Sequence, residues 1–241
     1  AAKEAADLVL TDDNFASIAN AVHEGRTVFD NIKKSLVFIL PTNGGEAGVI
    51  LLAVFLGLAL PVTAPQILWV NMVTEVTLSI ALAFERPEAG VMARPPRPPT
   101  EPLLTRQLLT RVAYVTALMI ATTFAVFNWE LARGNDLAVA RTAAVNMLVA
   151  GELAYLFNTR RFIASAFARD TLTGNRIALG AALALIALQV PFTYAAPLQR
   201  LFGTAPLDAP SWALIGTLAA AIFLAVEINK ALARRAGVRS L

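Results

Sequence analysis

Six apolar stretches, about 35–60, 64–84, 112–129, 137–157, 177–194 and 212–228, dominate this 241-residue chain. Each comes close to the roughly 20 helical residues that cross a hydrocarbon core about 30 Å thick. At that depth the backbone has no water to bond, so stretches of this length must close their hydrogen bonds within helices. The expected fold class is therefore all-α: a polytopic membrane bundle of six transmembrane helices behind a short cytoplasmic N-terminal segment. Composition agrees, with 57% hydrophobic and only 15% charged residues, against roughly 25% charged in an ordinary soluble domain. The absence of cysteine excludes a disulfide framework and a thiolate metal site.

Residues 1 to about 34 are polar and mixed, with a strand-like run at Leu8 to Leu10 and a helix start in the cluster Asp12, Asp13 and Asn14. They are too few to form a core of their own. The chain opens Ala1-Ala2-Lys3-Glu4, without methionine or a signal segment, so a piece of a longer protein is expected. The basic residues set the orientation. With the N-terminal segment inside, seventeen of the 20 Lys and Arg fall on the cytoplasmic side, and only Arg133, Arg141 and Arg200 fall outside. That asymmetry places both termini in the cytoplasm. The net charge is only +3, and the basic residues lie in a few segments between spans, so nucleic acid is excluded as a partner and the lipid bilayer is the expected one. The tract RPPRPP at Arg94 to Pro99 cannot continue a helix and reads as a stiff spacer.

Three glutamates interrupt the apolar stretches: Glu46, Glu75 and Glu152. An ionisable group at membrane depth is costly and is a functional-site hypothesis by default. At 1.5 Å per residue, Glu46 and Glu75 sit about 15 and 16 Å from the ends of their spans and Glu152 about 9 Å. Asn43 lies three residues before Glu46, and Asn71 and Thr74 lie four residues and one residue before Glu75, so in helices each set is expected to project from one face. Pro41 and the pair Gly44-Gly45 suggest that the tract PTNGGE unwinds locally and offers carbonyl oxygens. The candidate metal ligands are thus Asn43, Glu46, Asn71, Thr74, Glu75 and Glu152. Side chains that carry oxygen and no sulfur suit a hard cation such as Ca²⁺, Na⁺ or K⁺, or a proton, and about nine oxygens match the six to eight that Ca²⁺ takes. Three carboxylates sharing a low-dielectric site repel one another, so either protons or a metal ion must neutralise them. Outward metal and returning protons form a natural exchange. His23, the only histidine, reads as a solvated residue beside Glu24.

The tracts PTNGGE, QILWVNMVTE, AFERPEAGVMARPPRPPTEPL and GELAYLFNTR resemble the type II P-type cation-transporting ATPases, closest to the calcium pumps and their bacterial relatives. The likeness covers essentially the whole chain, most specifically residues 1–107 and 146–160. It implies that residues 1–34 are the end of the cytoplasmic phosphorylation domain running into a stalk, and that residues 35–241 are the C-terminal transmembrane domain, membrane helices five to ten. It implies an ion-translocating hydrolase in the bacterial plasma membrane, most concretely one that exports Ca²⁺ in exchange for protons. Asn43 and Glu46 then match the fifth-helix ligands, Asn71, Thr74 and Glu75 the sixth-helix ligands, and Glu152 the eighth-helix ligand. The partners implied are the first four membrane helices and the actuator, phosphorylation and nucleotide domains, which would hold ATP and Mg²⁺. No DKTG phosphorylation motif occurs in these residues, so no catalytic or nucleotide-binding residue is assigned and this part alone is expected to be inactive. Asp12 and Asp13 would sit on a surface turn before a helix, as caps. The family's calcium pumps carry Asp where this chain has Glu75. That difference leaves a monovalent cation or Mn²⁺ as rival cargo. A secondary transporter or channel using the same carboxylates, or a membrane scaffold without transport, are the readings from other classes.

Overall fold

The structure, a computed structural model, describes residues 4, 6, 9–11, 14–88, 90–96, 98, 102–161, 164–167 and 175–236. Six of its helices are long and apolar enough to cross a membrane. Helix α1 (Phe15–Phe55) runs unbroken through the expected boundary at residues 34 and 35. Its 41 residues span about 60 Å, twice the hydrocarbon thickness, so much of its N-terminal half projects from the bilayer. The Asn14 side chain caps it, accepting from the Ala16 N–H at 3.0 Å. Asp12 and Asp13 lie outside the described residues. So does Leu8, while Val9 and Leu10 are irregular, and no strand occurs among the described residues.

The second span, α2 (Ala64–Ala83), is composite. An α-helical turn at Ala64–Val70 passes into a π-helix at Asn71–Ser79 and returns to α-helix at Ile80–Ala83. There follow α3 (Arg106–Ala132), α4 (Leu137–Thr159), α5 (Arg176–Tyr194), a short α6 (Ala196–Phe202) and α7 (Ala209–Arg235). Thr105, Asp136, Asn175 and Asp208 cap the four long ones with side-chain oxygens, satisfying N–H groups that a helix start leaves without partners. Of the tract RPPRPP, Pro95, Pro96 and Pro98 are non-helical, while Arg97 and Pro99 are outside the described residues.

Helix α4 is the hub. It packs on α1, α3 and α7, and its Ala140, Ala143, Ala144 and Gly151 are small enough for close helix approach. The expected unwinding of PTNGGE does not occur: α1 is continuous α-helix through Pro41, Gly44 and Gly45. The glycines instead let α3 come close. A Cβ at Gly44 would lie 2.8 Å from Thr116 Oγ1, and one at Gly45 would lie 2.9 Å from Met119 Cβ.

The irregular backbone sits in α2. Asn71, Thr74 and Thr77 each donate a side-chain hydrogen bond to the carbonyl four residues back, namely Ile67, Val70 and Val73. Such bonds compete with the α-helical N–H for the same oxygen, which favours the wider π turn.

Candidate cation-binding site

All six candidate residues lie on α1, α2 and α4. Asn43 and Glu46 come from the glycine-flanked turn of α1, where the packing of Gly44 and Gly45 against α3 fixes the helix. Asn71, Thr74 and Glu75 all fall in the π segment, where the turn is closed by i→i+5 bonds and is wider than the α-helical one expected. Asn71 Nδ2 donates to Glu46 Oε2 at 2.7 Å, and Asn43 Nδ2 donates to Glu75 Oε1. The carboxamide of each helix thus holds the carboxylate of the other, which cross-ties α1 to α2. Asn43, Asn71 and Glu75 are half-buried, whereas Glu46 and Thr74 are buried.

Glu152 enters from α4. It is 1% exposed and lies within electrostatic reach of Glu46, Glu75 and Thr74. The Thr74 hydroxyl is turned to the Val70 carbonyl, to which it donates at 2.9 Å, so although Thr74 and the Glu46 carboxyl stand beside Glu152, neither Glu152 oxygen makes a well-formed hydrogen bond. A buried carboxylate without donors carries a desolvation cost of at least a few kcal/mol. A proton or a cation would relieve that cost. Among the described residues no three acidic, histidine or cysteine side chains form a ready metal cage, so any cation here would need the amides, Thr74 or backbone carbonyls as well as carboxylates.

Several buried polar groups were not foreseen. In the apolar interior, Gln189 of α5 donates to Asn146 Oδ1 at 3.0 Å and accepts from Trp69 Nε1 at 3.2 Å, while Asn146 donates to Thr193 at 3.1 Å. The signal was an amide inside each of two apolar stretches, at Asn146 and Gln189. At one end of the bundle, Arg160 makes a two-pronged ion pair with Glu85, and Lys230 pairs with Glu227. Arg160, Lys230, Lys34 and Arg111 are buried, so several basic residues counted from sequence as cytoplasmic-side charges are held inside the protein. Glu130, at the end of α3, is fully buried and accepts from Ser211 and Asn135. His23 is half-buried, 3.5 Å from Glu24.

The all-helical membrane fold agrees with what comparison with known proteins finds. The family model described as "Cation transporting ATPase, C-terminus" matches residues 59–232. A "Probable cation-transporting ATPase F" of Mycobacterium tuberculosis is 46% identical over 97% of this chain and 26% of its own length. "Cation-transporting ATPase pma1" of Synechocystis is 43% identical over 88% of this chain and 24% of its own. A "Calcium-transporting ATPase" of Bacillus subtilis is 40% identical over 89% and 24%. The chain thus spans about a quarter of the length of these curated relatives. With the family model matching well over half of its residues, the chain belongs to the cation transporting ATPase C-terminus family.

Proposed function

We propose that this chain is the ion-binding transmembrane part of an ATP-driven cation pump, and that its cargo is Ca²⁺, exported in exchange for protons. The observation that carries the reading is Glu152: a carboxylate sealed inside the bundle beside Glu46, Glu75 and Thr74, with no well-formed hydrogen bond to either oxygen. A permanently bare charge there would be too costly, so its chemistry is to alternate between a proton and a metal ion. Asn43, Glu46, Asn71, Thr74, Glu75 and Glu152 act as the ligands. The widened α2 backbone adds room for carbonyl oxygens, and π-helical turns recur at functional sites. The names of relatives from Bacillus subtilis, Bacillus cereus and Schizosaccharomyces pombe specify calcium, which supports Ca²⁺ over Mn²⁺ or a monovalent cation.

In this reading residues 1–34 close the phosphorylation domain and begin the stalk, residues 35–241 form the membrane domain with both termini cytoplasmic, and the membrane is a bacterial plasma membrane. ATP and Mg²⁺ act in the rest of the pump, and the 41-residue α1 is long enough to reach from the membrane site toward it. The test is Ca²⁺-dependent phosphorylation of the full-length pump by ATP. Glu46→Gln keeps the shape and removes the charge, and should abolish it; unchanged Ca²⁺ dependence in that variant would refute the ligand role.

A further inference from the structure

Helix α1 crosses the candidate site with a proline in it, and the repair of that proline comes from another helix. Pro41 has no N–H, so the carbonyl four residues earlier, that of Val37, loses its helical donor, and a helix with such a gap ordinarily kinks. Here the Tyr155 hydroxyl of α4 donates to the Val37 carbonyl at 2.9 Å. Tyr155 is fully buried. Its ring is stacked on Phe38, centroids 6.1 Å apart and 14° from parallel, and the Arg111 guanidinium of α3 lies 5.9 Å from the ring centroid. The side chain is therefore fixed by packing before its hydroxyl makes any bond.

The position of this bond links it to the site. Tyr155 follows Glu152 by three residues on α4, so the two share a helix face, and Pro41 precedes Asn43 by two residues and Glu46 by five. One face of α4 therefore presents a carboxylate to the cluster and, one turn along, a hydroxyl to the break in α1. We infer that Tyr155 is a positioning residue for the cation site: its hydroxyl supplies the hydrogen bond that Pro41 cannot, keeps α1 straight, and so sets the direction in which Asn43 and Glu46 face Glu152. Tyr155 itself supplies no ligand. The inference rests on the cation-site reading above, and its test separates the two.

The measurement is the Ca²⁺ concentration giving half-maximal phosphorylation of the full-length pump, together with the maximal level at saturating Ca²⁺. Tyr155→Phe keeps the ring and removes only the hydroxyl. It should raise the half-maximal concentration about ten-fold, the effect of leaving one buried acceptor unpaired, with the maximal level retained. Pro41→Ala restores the missing N–H, so adding Tyr155→Phe to it should change the half-maximal concentration by less than about two-fold. If Tyr155→Phe prevents accumulation of the pump, Pro41→Ala should restore it. A Tyr155→Phe defect undiminished on the Pro41→Ala background, or none on either background, would overturn the inference. Glu46→Gln serves as the control: if it leaves the Ca²⁺ dependence unchanged, the site reading itself fails. If Glu46→Gln abolishes the response while Tyr155→Phe is silent, only the positioning role falls.

Discussion

Arg160→Met tests whether the bundle is held at one end by a buried ion pair or by apolar packing alone. Arg160 Nε and Nη2 meet the two oxygens of Glu85 at 2.9 and 3.2 Å, and the side chains are 1% and 4% exposed. Asn175 adds a donor to Glu85 Oε2 at 3.0 Å, and Asn31 donates to the Glu85 backbone carbonyl at 2.8 Å. Four elements meet there: α1, the end of α2, the end of α4 and the start of α5. Removing the guanidinium leaves a sealed carboxylate with Asn175 as its remaining side-chain donor, and breaking such a pair from one side costs about 3–5 kcal/mol. Glu85→Leu should cost a similar amount, because it strands a buried guanidinium whose Nη1 already lacks a partner. The double variant Glu85→Leu/Arg160→Met leaves no bare charge and should lie within about 1–2 kcal/mol of the unaltered protein, since apolar replacement of a whole buried pair is often neutral. Unfolding free energies from titration with a denaturing detergent in mixed micelles, taken for all four proteins, give the coupling directly. A loss below about 1 kcal/mol for Arg160→Met, or a double variant as unstable as the sum of the singles, would refute the reasoning.

Three further outcomes follow from particular contacts. Gly45→Ala should cost about 1–3 kcal/mol, because its new methyl would lie 2.9 Å from Met119 Cβ, which cannot rotate away; Gly48→Ala should cost less despite a 2.3 Å approach, because Ile120 Cδ1 can swing aside. The same micelle titration checks the order, and a larger loss for Gly48→Ala would contradict it. Cysteines introduced at the exposed positions Ala59 and Ala132 of this cysteine-free chain should react with an impermeant thiol reagent from outside the cell, and one at Glu24 only from inside; outside labelling of Glu24→Cys would overturn the orientation. At the junction of α3 and α7, the Arg133 guanidinium and Ser211 hold the Asp208 carboxyl well below the usual carboxylate range. A depressed folded value stabilises above the unfolded value of about 3.9 and is lost only as pH falls through the folded one, so Asp208→Asn should lower the unfolding midpoint equally at pH 7 and pH 5. A difference that vanishes by pH 5 would contradict this.

The spans were legible because twenty consecutive apolar residues have few other uses, and Glu46, Glu75 and Glu152 stood out because a carboxylate there is expensive. What sequence did not show was which helix would be irregular. Pro41 and the two glycines marked α1 as the weak one, but a glycine serves close packing as readily as unwinding, and the choice depended on Thr116 and Met119 of α3, more than seventy residues away. The true irregularity in α2 was signalled only by Asn71, Thr74 and Thr77, whose back-bonding to carbonyls four residues earlier is a matter of rotamer. Arg160 and Lys230 counted in the sequence only as cytoplasmic-side charges, since pairing with Glu85 and Glu227 is a tertiary fact. Tyr155 carried no signal at all, because its partner is a backbone carbonyl, Val37.

Equilibrium binding of radiolabelled Ca²⁺ to the purified full-length pump decides whether the Glu46, Glu75 and Glu152 cluster holds the transported ion. The resemblance to the calcium pumps implies, at the place of Glu75, an Asp that bridges two ions. The extra methylene of Glu75 moves that carboxylate outward by about 1.5 Å, one carbon–carbon bond, and ligand distances to Ca²⁺ vary by only a few tenths of an ångström. Saturable binding in the micromolar range is therefore expected, one ion per phosphorylation site, lost in both Glu46→Gln and Glu152→Gln. Two cooperative ions would contradict the stoichiometry, no saturable Ca²⁺ binding would contradict the cargo, and binding unchanged in both variants would contradict the site.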